Sequence, residues 1–377
     1  MRKLLQYILR KPIAWLAGKL SSSPHEPDVF KALSALLQSI ERGKAKKGLV
    51  KEIDLRKDKY IIFSDQHKGD RSTTDDFREA EDDYLVALDY YYREGFHFVS
   101  LGDCEELWKF TPDLVMGKNA KCFAAERKFL DANRYYRIFG NHDLEWKYAL
   151  QRNIFLRPVF GKKIKIYEGL LLKTKYQEET FSIFLAHGHQ GDQKSDGNSF
   201  SIWFVANIWT PIQRFLQVSI NTPATSFTLS DKHNFMMYEW SAVQQNLIFI
   251  SGHTHKPVFA SLDHIESLLK QLEAAKQAGD ETKGVEIQQE IEKRKKEYFG
   301  KQRYQKTARP SYFNSGCCCF DDGDITGIEL TDGHIRLIKW HTVENGSQRQ
   351  VLEDASLHFI FEQLSAGKTK QTREYIS

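Results

Sequence analysis

The stretch YIIFSDQH (60–67) decides the fold. Its first four residues are all apolar, which predicts a short strand that is buried on both faces of a sheet. A polar cluster follows as soon as the apolar run ends. Within it Asp65 and His67 are two positions apart, so both side chains can point to one side as the chain leaves the sheet.

Four further polar clusters stand in the same position, each directly after an apolar run. They are GDCEE (102–106), GNHD (140–143), HGH (187–189) and GHTH (252–255). Helical patterns at 75–94 and 119–132 separate the first three runs, and alternating strands and helices predict an α/β fold with parallel strands. Ligands of such sheets bind outside the carboxyl ends of the strands, so we expect all five clusters at one edge.

The residue types in the clusters favour a metal centre. Asp, His and Asn offer the oxygen and nitrogen atoms that borderline and hard divalent cations prefer. GHTH repeats the spacing of the first cluster, with His253 and His255 again two positions apart. The paired cysteines of a structural zinc site are missing from the clusters, and we expect the run CCC (317–319) to be small buried residues rather than ligands.

Composition argues against several other classes of protein. Lys and Arg number 54 against 50 Asp and Glu, and a net charge of +4 on 377 residues does not indicate nucleic-acid binding. Five cysteines in so long a chain imply no disulfide framework and favour a reducing, cytoplasmic compartment. The apolar runs are shorter than the ~18 residues that suggest a membrane-spanning helix.

In this order, over about residues 59–260, the five clusters resemble the motifs D-x-H, G-D-x-x-[DE], G-N-H-[DE], a histidine after an apolar strand, and G-H-x-H of calcineurin-like metallophosphoesterases. The resemblance implies a β-sandwich flanked by helices in four layers (α/β/β/α). It also implies a metal-dependent phosphoric ester hydrolase with two divalent metal ions. Mn²⁺ is the expected metal, with Fe²⁺, Zn²⁺ and Mg²⁺ as alternatives.

The resemblance further implies a role for each residue. One metal would be held by Asp65, His67 and His255. The other would be held by Asn141, His187 and His253, with Asp103 as the bridge. A hydroxide bridging the two ions would attack a phosphate ester or pyrophosphate bond. The alternative from another class is a scaffold that keeps this fold without turnover, although all seven ligand positions are intact.

Several other residues in or next to the clusters are candidates for the site. His189 competes with His187 as a ligand, and we favour His187 because it directly ends the apolar run FSIFLA. His142 would face the substrate as a charge stabiliser or proton donor, and Asp143 would orient its ring. Candidates for contacts with the substrate or behind the ligands are Glu106, Lys68, Arg71 and Lys256, with plain surface charge as the alternative for the three basic residues.

The interval between HGH and GHTH bears on the substrate. Residues 197–230 contain no Asp, Glu or Lys and a single arginine, Arg214. The apolar stretch 199–220 predicts either a cap that holds an acyl chain or an ordinary core helix. An apolar cap here, together with DCEELW (103–108), is similar to the UDP-2,3-diacylglucosamine hydrolase branch, bacterial enzymes of lipid A synthesis that cleave a pyrophosphate. The expected substrate is therefore a phosphorylated small molecule or a lipid-linked one.

The chain start also bears on membrane contact. Residues 1–25 carry five basic residues, no acid and apolar residues at helical spacing, which predicts a helix that lies on an anionic membrane or packs on the domain. Contact through 1–25 or 199–220 would place the protein peripherally at the inner face of the membrane. The predicted organisation is an N-terminal segment 1–58, a catalytic domain 59–345 with a helical cap 191–246 and a charged helical insertion 262–308, and a tail 346–377.

Overall fold

The computed structural model describes residues 24–191, 227–263, 309–344 and 346–374, with a few isolated positions between 272 and 291. Most of the basic segment 1–25, the apolar stretch 199–220 and most of the charged insertion 262–308 lie outside the described residues. No helix within the described ranges combines the length and apolar character that crossing a bilayer requires.

The first sheet contains the strand YIIF; strands are numbered along the chain. Its strands are Tyr60–Phe63 (β2), His97–Leu101 (β3), Tyr135–Ile138 (β4), Ile166–Tyr167 (β5), Ile325–Thr331 (β12), His334–Val343 (β13) and Gly346–Ser356 (β14). In space they follow the order β14-β13-β12-β2-β3-β4-β5. From β2 to β5 neighbouring strands run parallel, as predicted, whereas β12, β13 and β14 add antiparallel pairs beside β2.

The second sheet also has seven strands. They are Gly48–Glu52 (β1), Gly169–Tyr176 (β6), Glu179–Ala186 (β7), Leu247–Ser251 (β8), Val258–Phe259 (β9), Leu262–Asp263 (β10) and Tyr312–Asn314 (β11). Their spatial order is β1-β6-β7-β8-β11-β9-β10. Since β7, β8 and β11 are parallel neighbours, their carboxyl ends lie at the same edge.

Helices cover the outer face of each sheet, and the last helix packs into the core between the sheets. They are Glu26–Glu41 (α1), Glu81–Arg93 (α2), Pro112–Lys118 (α3), Ala120–Asp131 (α4), Phe227–Ala242 (α5) and Leu357–Glu374 (α6), with a further helical stretch at 149–160. Apolar residues of α2 and α4 pack on the first sheet, and those of α1 and α5 pack on the second. The two sheets face each other across a third apolar core. The predicted four-layer sandwich is therefore confirmed.

Both faces of β2 enter an apolar core, which explains its unbroken apolar run. Ile61 and Phe63 pack among the helices outside the first sheet, whereas Tyr60 and Ile62 face the second sheet. Successive residues of a strand point to opposite faces, and all four of these residues are 0% exposed. A strand with one face exposed to solvent would instead show alternating polar and apolar residues.

Two stretches that were predicted to lie outside the catalytic domain supply elements of the sandwich. β1 pairs in parallel with β6, and Leu33 of α1 is buried outside the second sheet. β14 pairs with β13, and Leu357 and Phe361 of α6 join the core between the sheets. Parts of the segment 1–58 and of the tail 346–377 thus cover apolar surface that the sheets would otherwise expose.

The strand that precedes CCC (317–319) is short. β11 ends at Asn314, and the chain then turns at Gly316, which has a φ of 75°. A Cβ at Gly316 would lie 2.1 Å from Thr326 Oγ1, so the turn requires glycine. The residues of CCC (317–319) are buried, as predicted.

Leu33→Ala tests whether α1 is part of the folded unit. Leu33 is 0% exposed, and truncation of a buried leucine costs about 2–5 kcal/mol. We expect the free energy of unfolding to fall by that amount in a denaturant titration. Lys31→Ala, on the exposed side of the same helix, should stay within about 0.5 kcal/mol of the wild type. Equal stability of the two variants would show that α1 is not part of the cooperative unit.

Candidate metal centre

The five polar clusters lie at one edge of the sandwich. Three of them follow β2, β3 and β4 of the first sheet, and two follow β7 and β8 of the second. Backbone hydrogen bonds join the loops within each sheet. Asp65 N donates to Gly102 O at 3.0 Å, and Gly252 N donates to His187 O at 3.0 Å. Loops of both sheets therefore contribute to one site.

Five of the predicted ligands have a left-handed backbone conformation. The φ angles are 54° for Asp65, 50° for His67, 50° for Asp103, 71° for His253 and 56° for His255. Such a conformation costs an L-residue roughly 1–2 kcal/mol and persists only where the surrounding structure imposes it. Backbone strain of this kind clusters at functional sites, and here it falls on three separate loops.

Two glycines leave room for the carboxylates. A Cβ on Gly140 would lie 2.1 Å from Asp103 Oδ1, and a Cβ on Gly252 would lie 2.4 Å from Asp65 Oδ2. Any larger residue at either position would have to displace a carboxylate. Asp103 Oδ1 also accepts a hydrogen bond from His142 N at 2.8 Å. Close packing and a backbone donor together fix the Asp103 carboxylate.

The first group of potential ligands comes from the first and last clusters. His67 Nε2 and His255 Nε2 lie 3.1 Å apart, and His255 Nε2 lies 3.3 Å from Asp65 Oδ1. His67 Nε2 is also 3.8 Å from Asp103 Oδ2. Ligand atoms at about 2.0–2.2 Å from one divalent ion are themselves about 3–4 Å apart, which is the spacing of these four atoms.

Asp103, His187 and His253 form the second group, and their ligand atoms all lie within 4.8 Å of one another. His187 Nε2 is 3.1 Å from Asp103 Oδ2. Asn141 Oδ1 and His253 Nε2 are buried and find no hydrogen-bond partner among the described residues. A buried polar atom without a partner costs roughly 1–3 kcal/mol, and coordination of a cation would remove that cost.

The donor set fits divalent metal ions. Asp103 Oδ2 faces His67 of the first group and His187 of the second. The remaining ligand atoms of the two groups are imidazole nitrogens, carboxylate oxygens and one amide oxygen, which suit Mn²⁺, Fe²⁺, Zn²⁺ or Mg²⁺ without singling one out. Cys319 stands at the border of the first group, with its Sγ 3.7 Å from His255 Nδ1.

Of the two candidate histidines in HGH, His187 has its ring at the carboxylates. Its Nδ1 donates to Leu101 O at 2.9 Å, so in the neutral ring Nε2 carries the lone pair beside Asp103. Backbone contacts of this kind fix the tautomer of metal-binding histidines. The His189 ring centroid lies 6.2 Å from that of Phe139 and 5.4 Å from that of His187. The geometry favours His187 as the ligand.

The buried carboxylates set the charge of the site. Burial opposes protonation of His187, but Asp103 and Asp65 outweigh it and raise its pKa to about 9. Burial likewise opposes ionisation of Asp103, yet His187 and His142 hold its pKa well below the usual range. The same negative field favours a divalent cation, which replaces the proton on the histidine when it binds.

His142 lies at the border of the site and is held from two sides. Its Nδ1 is 2.9 Å from Glu106 Oε1, and Glu106 Oε2 is 3.2 Å from His67 Nδ1. The indole of Trp108 stacks on the His142 ring, with 3.9 Å between centroids and 20° between planes. Burial opposes protonation of His142, but Glu106 and Asp103 outweigh it and raise its pKa. One buried carboxylate thus orients a predicted ligand and the predicted substrate-facing histidine.

The carboxylate of Asp143, which was predicted to orient the His142 ring, accepts backbone hydrogen bonds from two clusters. Asp143 Oδ1 accepts from Gly140 N at 2.6 Å, and Oδ2 accepts from Cys104 N at 3.1 Å. Asp143 therefore fastens GNHD to GDCEE, while Glu106 is the carboxylate at the His142 ring. Burial raises the pKa of Asp143 to about 6.

Lys68, a candidate for phosphate contact, is a structural cation instead. It is 0% exposed, and its Nζ lies 2.9 Å from Glu126 Oε1 and 3.8 Å from Glu105 Oε1. The rings of Phe77 and Tyr84 lie within 6 Å of the same ammonium group. Burial opposes ionisation of Glu126, but Lys68 outweighs it and lowers the pKa of that carboxyl. A side chain enclosed in this way cannot reach a substrate.

The other two basic candidates are also paired with carboxylates. Arg71 pairs with Glu81, and Lys256 Nζ lies 2.5 Å from Asp231 Oδ1 of α5. Either residue could reach a phosphate only by giving up a partly buried ion pair. The structure therefore offers no support for a phosphate role of these residues.

Helix α5 contacts the site through polar residues that the sequence pattern did not single out. Ser230 Oγ donates to Thr254 O at 2.7 Å, and Thr254 Oγ1 donates to Asn234 Oδ1 at 3.0 Å. His233 Nε2 lies 2.7 Å from Gly188 O. These contacts position HGH and GHTH from outside the second sheet, and tertiary packing alone brings them together.

No family model and no curated protein sequence matches the chain. A dimetal phosphatase from Danio rerio is 12% identical, with 78% of this chain and 99% of that chain covered and a TM-score of 0.36. Vps29 from Entamoeba histolytica, as a single mutant, is 12% identical, with 79% and 99% covered and a TM-score of 0.32. Vacuolar Protein Sorting 29 from Cryptosporidium parvum is 12% identical, with 79% and 98% covered and a TM-score of 0.31. Similarities this distant give no information about activity, so the activity has to be inferred from the side chains of this protein.

Lys68→Met should destabilise the protein strongly. The buried Glu126 carboxylate would keep the hydroxyl donors of Tyr84 at 3.0 Å and Tyr135 at 2.7 Å but lose its cation. We expect the free energy of unfolding to fall by about 3–5 kcal/mol in a denaturant titration. The double variant Lys68→Met/Glu126→Gln removes both charges and should recover most of that loss. If Lys68→Met were as stable as the wild type but did not hydrolyse a phosphoester, Lys68 would be a residue that contacts the substrate.

Proposed function

We propose that the protein is a binuclear metal-dependent phosphoesterase that hydrolyses a phosphate ester or pyrophosphate bond. The observation that carries the proposal is the position of Asp103 Oδ2, 3.8 Å from His67 Nε2 and 3.1 Å from His187 Nε2. One carboxylate between two histidine groups suits a pair of cations. Asp65, His67 and His255 would hold one ion, Asn141, His187 and His253 would hold the other, and Asp103 would contribute to both.

The chain's own groups would orient the substrate and move a proton. Two bound divalent cations supply charge that stabilises the attacking and leaving oxygens of an in-line displacement and lowers the pKa of water. His142 would stabilise charge on the phosphoryl oxygens or protonate the leaving group. Its Nδ1 is engaged by Glu106, which leaves Nε2 for the substrate. Glu106 and Trp108 would hold the ring in that orientation.

A lipid-linked substrate, as in a UDP-2,3-diacylglucosamine pyrophosphatase-like enzyme, is the narrower proposal. Its support is the contact of α5 with both histidine loops, because the apolar stretch 199–220 precedes this helix by only six residues in the sequence. A cap built on α5 would stand beside the metals. Faster hydrolysis of a nucleotide-sugar lipid than of an aryl phosphate would support it, and equal or slower hydrolysis would remove it.

Asp103→Asn should abolish hydrolysis. The amide keeps an oxygen that can accept the hydrogen bond from His142 N, so the loop is preserved while the bridging charge is lost. With Mn²⁺-loaded protein and an aryl phosphate mono- or diester, we expect kcat to fall by about 10²–10³-fold or more, as when a group that stabilises transition-state charge is removed. Asp82→Asn, on the exposed side of α2, is the matched control and should retain full activity.

Metal binding and turnover should be measured on the same samples. Hydrolysis that survives both Asp103→Asn and chelation would falsify the proposal. Uptake of two metal ions with no hydrolysis of any phosphoester would assign the protein to the scaffold class instead.

Glu106→Gln tests whether the Glu106 carboxylate positions the rings of His142 and His67 for activity. The amide fills the same space, but the charge that faces His142 Nδ1 and His67 Nδ1 is removed. Loss of a partner behind a metal ligand typically costs about 10–100-fold in activity or metal affinity, and we expect a drop in kcat of that size in protein that is still fully folded at the assay temperature. Asp113→Asn, an exposed carboxylate on α3, serves as control. A variant with wild-type kcat would show that Glu106 does not position the site.

A further inference from the structure

The chain is helical over residues 149–160, shortly after the GNHD cluster. A π-helical turn, Arg152–Leu156, lies between two short α-helical pieces. Leu156 and Phe160, four residues apart, are 0% exposed and anchor the helix in the core outside the first sheet. This inward side is the face that an amphipathic helix normally buries.

The outward side of the same helix is apolar as well. Leu150 is 67% exposed and Ile154 is 51% exposed, and Tyr148, just before the helix, is 52% exposed. A single exposed apolar residue needs no explanation, but three large ones close together form a patch of the kind that marks an interaction site. We call Tyr148, Leu150 and Ile154 the outer apolar face.

Positive charge is concentrated around the outer apolar face. The segment 146–167 contains no Asp or Glu and six basic residues, which are Lys147, Arg152, Arg157, Lys162, Lys163 and Lys165. The whole chain has a net charge of +4, so the rest of it, with 48 basic and 50 acidic residues, is slightly negative. Lys162 pairs with Asp131, and Arg152 donates to backbone carbonyls. The other four cations are exposed.

We propose that the outer apolar face and its exposed cations dock on an anionic lipid bilayer. Aliphatic side chains would enter the boundary between headgroups and acyl chains, and the cations would attract anionic headgroups. Tyrosine is enriched at this depth because its ring is apolar and its hydroxyl is polar. Four exposed cations in a stretch of sequence without an acidic residue favour an anionic bilayer over a protein partner, whose surface would carry both signs.

Docking would place the metal centre next to the bilayer. A single turn, Leu144–Lys147, separates His142 from the helix, and Trp146 within that turn is fully buried. The outer apolar face therefore follows, within one turn, the loop that carries a predicted metal ligand, Asn141. A substrate in or on the membrane would then be a short distance from the site.

Vesicle co-sedimentation of the full chain tests the docking surface. We expect binding to vesicles that mix phosphatidylglycerol with phosphatidylcholine, and much weaker binding to phosphatidylcholine alone. Leu150→Glu/Ile154→Glu should lower the partition coefficient about tenfold or more. Arg157→Glu/Lys163→Glu should lower it too, with the largest effect at low salt because screening weakens exposed charges. Phe359→Glu, 57% exposed on α6, is the matched control and should bind as the wild type does.

The outcome does not depend on hydrolysis, so it is separable from the proposed function. All substituted side chains are exposed, and the thermal midpoints should match that of the wild type. The proposal is overturned if anionic vesicles bind no protein, or if the Leu150→Glu/Ile154→Glu variant binds them as well as the wild type. The proposal is equally overturned if the wild type is a dimer that does not bind vesicles and the Leu150→Glu/Ile154→Glu variant is a monomer. The outer apolar face would then be a surface for self-association.

Discussion

The buried carboxylate of Asp103 is the constraint on which the site depends. It is 1% exposed, lies against Gly140, and has histidines of both sheets as neighbours. His67 follows β2 of the first sheet, whereas His187 follows β7 of the second. The distances of 3.8 Å and 3.1 Å therefore exist only while the sheets are packed face to face. The apolar core between the sheets determines the geometry of the predicted ligands as much as the loops do.

A second set of buried charges holds the three loops of the first sheet together. Glu105 of the GDCEE loop pairs with Arg137 of β4, and Trp146 Nε1 donates to Glu105 Oε2 at 2.7 Å. Lys68, just after the first cluster, pairs with Glu126 of α4. Burying ions is costly, and only close pairing with further hydrogen bonds offsets that cost. Because each pair joins a different loop to the core, the loops are held in one arrangement, which includes the left-handed backbone of the predicted ligands.

Local patterns predicted those parts of the fold and site that a single segment determines. The apolar runs located the parallel strands, and the polar residues at their ends identified the side chains that now lie together at one edge. The sequence pattern did not predict β14, because its residues, GSQRQVLEDAS, show little apolar alternation. The strand is held in the sheet by backbone pairing. The family resemblance implied that Asp143 orients His142, whereas the structure has Glu106 beside Nδ1 of that ring. Contacts such as Trp108 on His142 arise only when separate loops pack.

Diffraction from crystals grown with Mn²⁺, measured on both sides of the manganese absorption edge, tests the central claim most directly. Two anomalous peaks about 3.5–4 Å apart are predicted. One should lie among Asp65, His67 and His255, the other among Asn141, His187 and His253, with the Asp103 carboxylate touching both. A single peak, peaks elsewhere in the molecule, or an Asp103 carboxylate that touches neither ion would contradict the account.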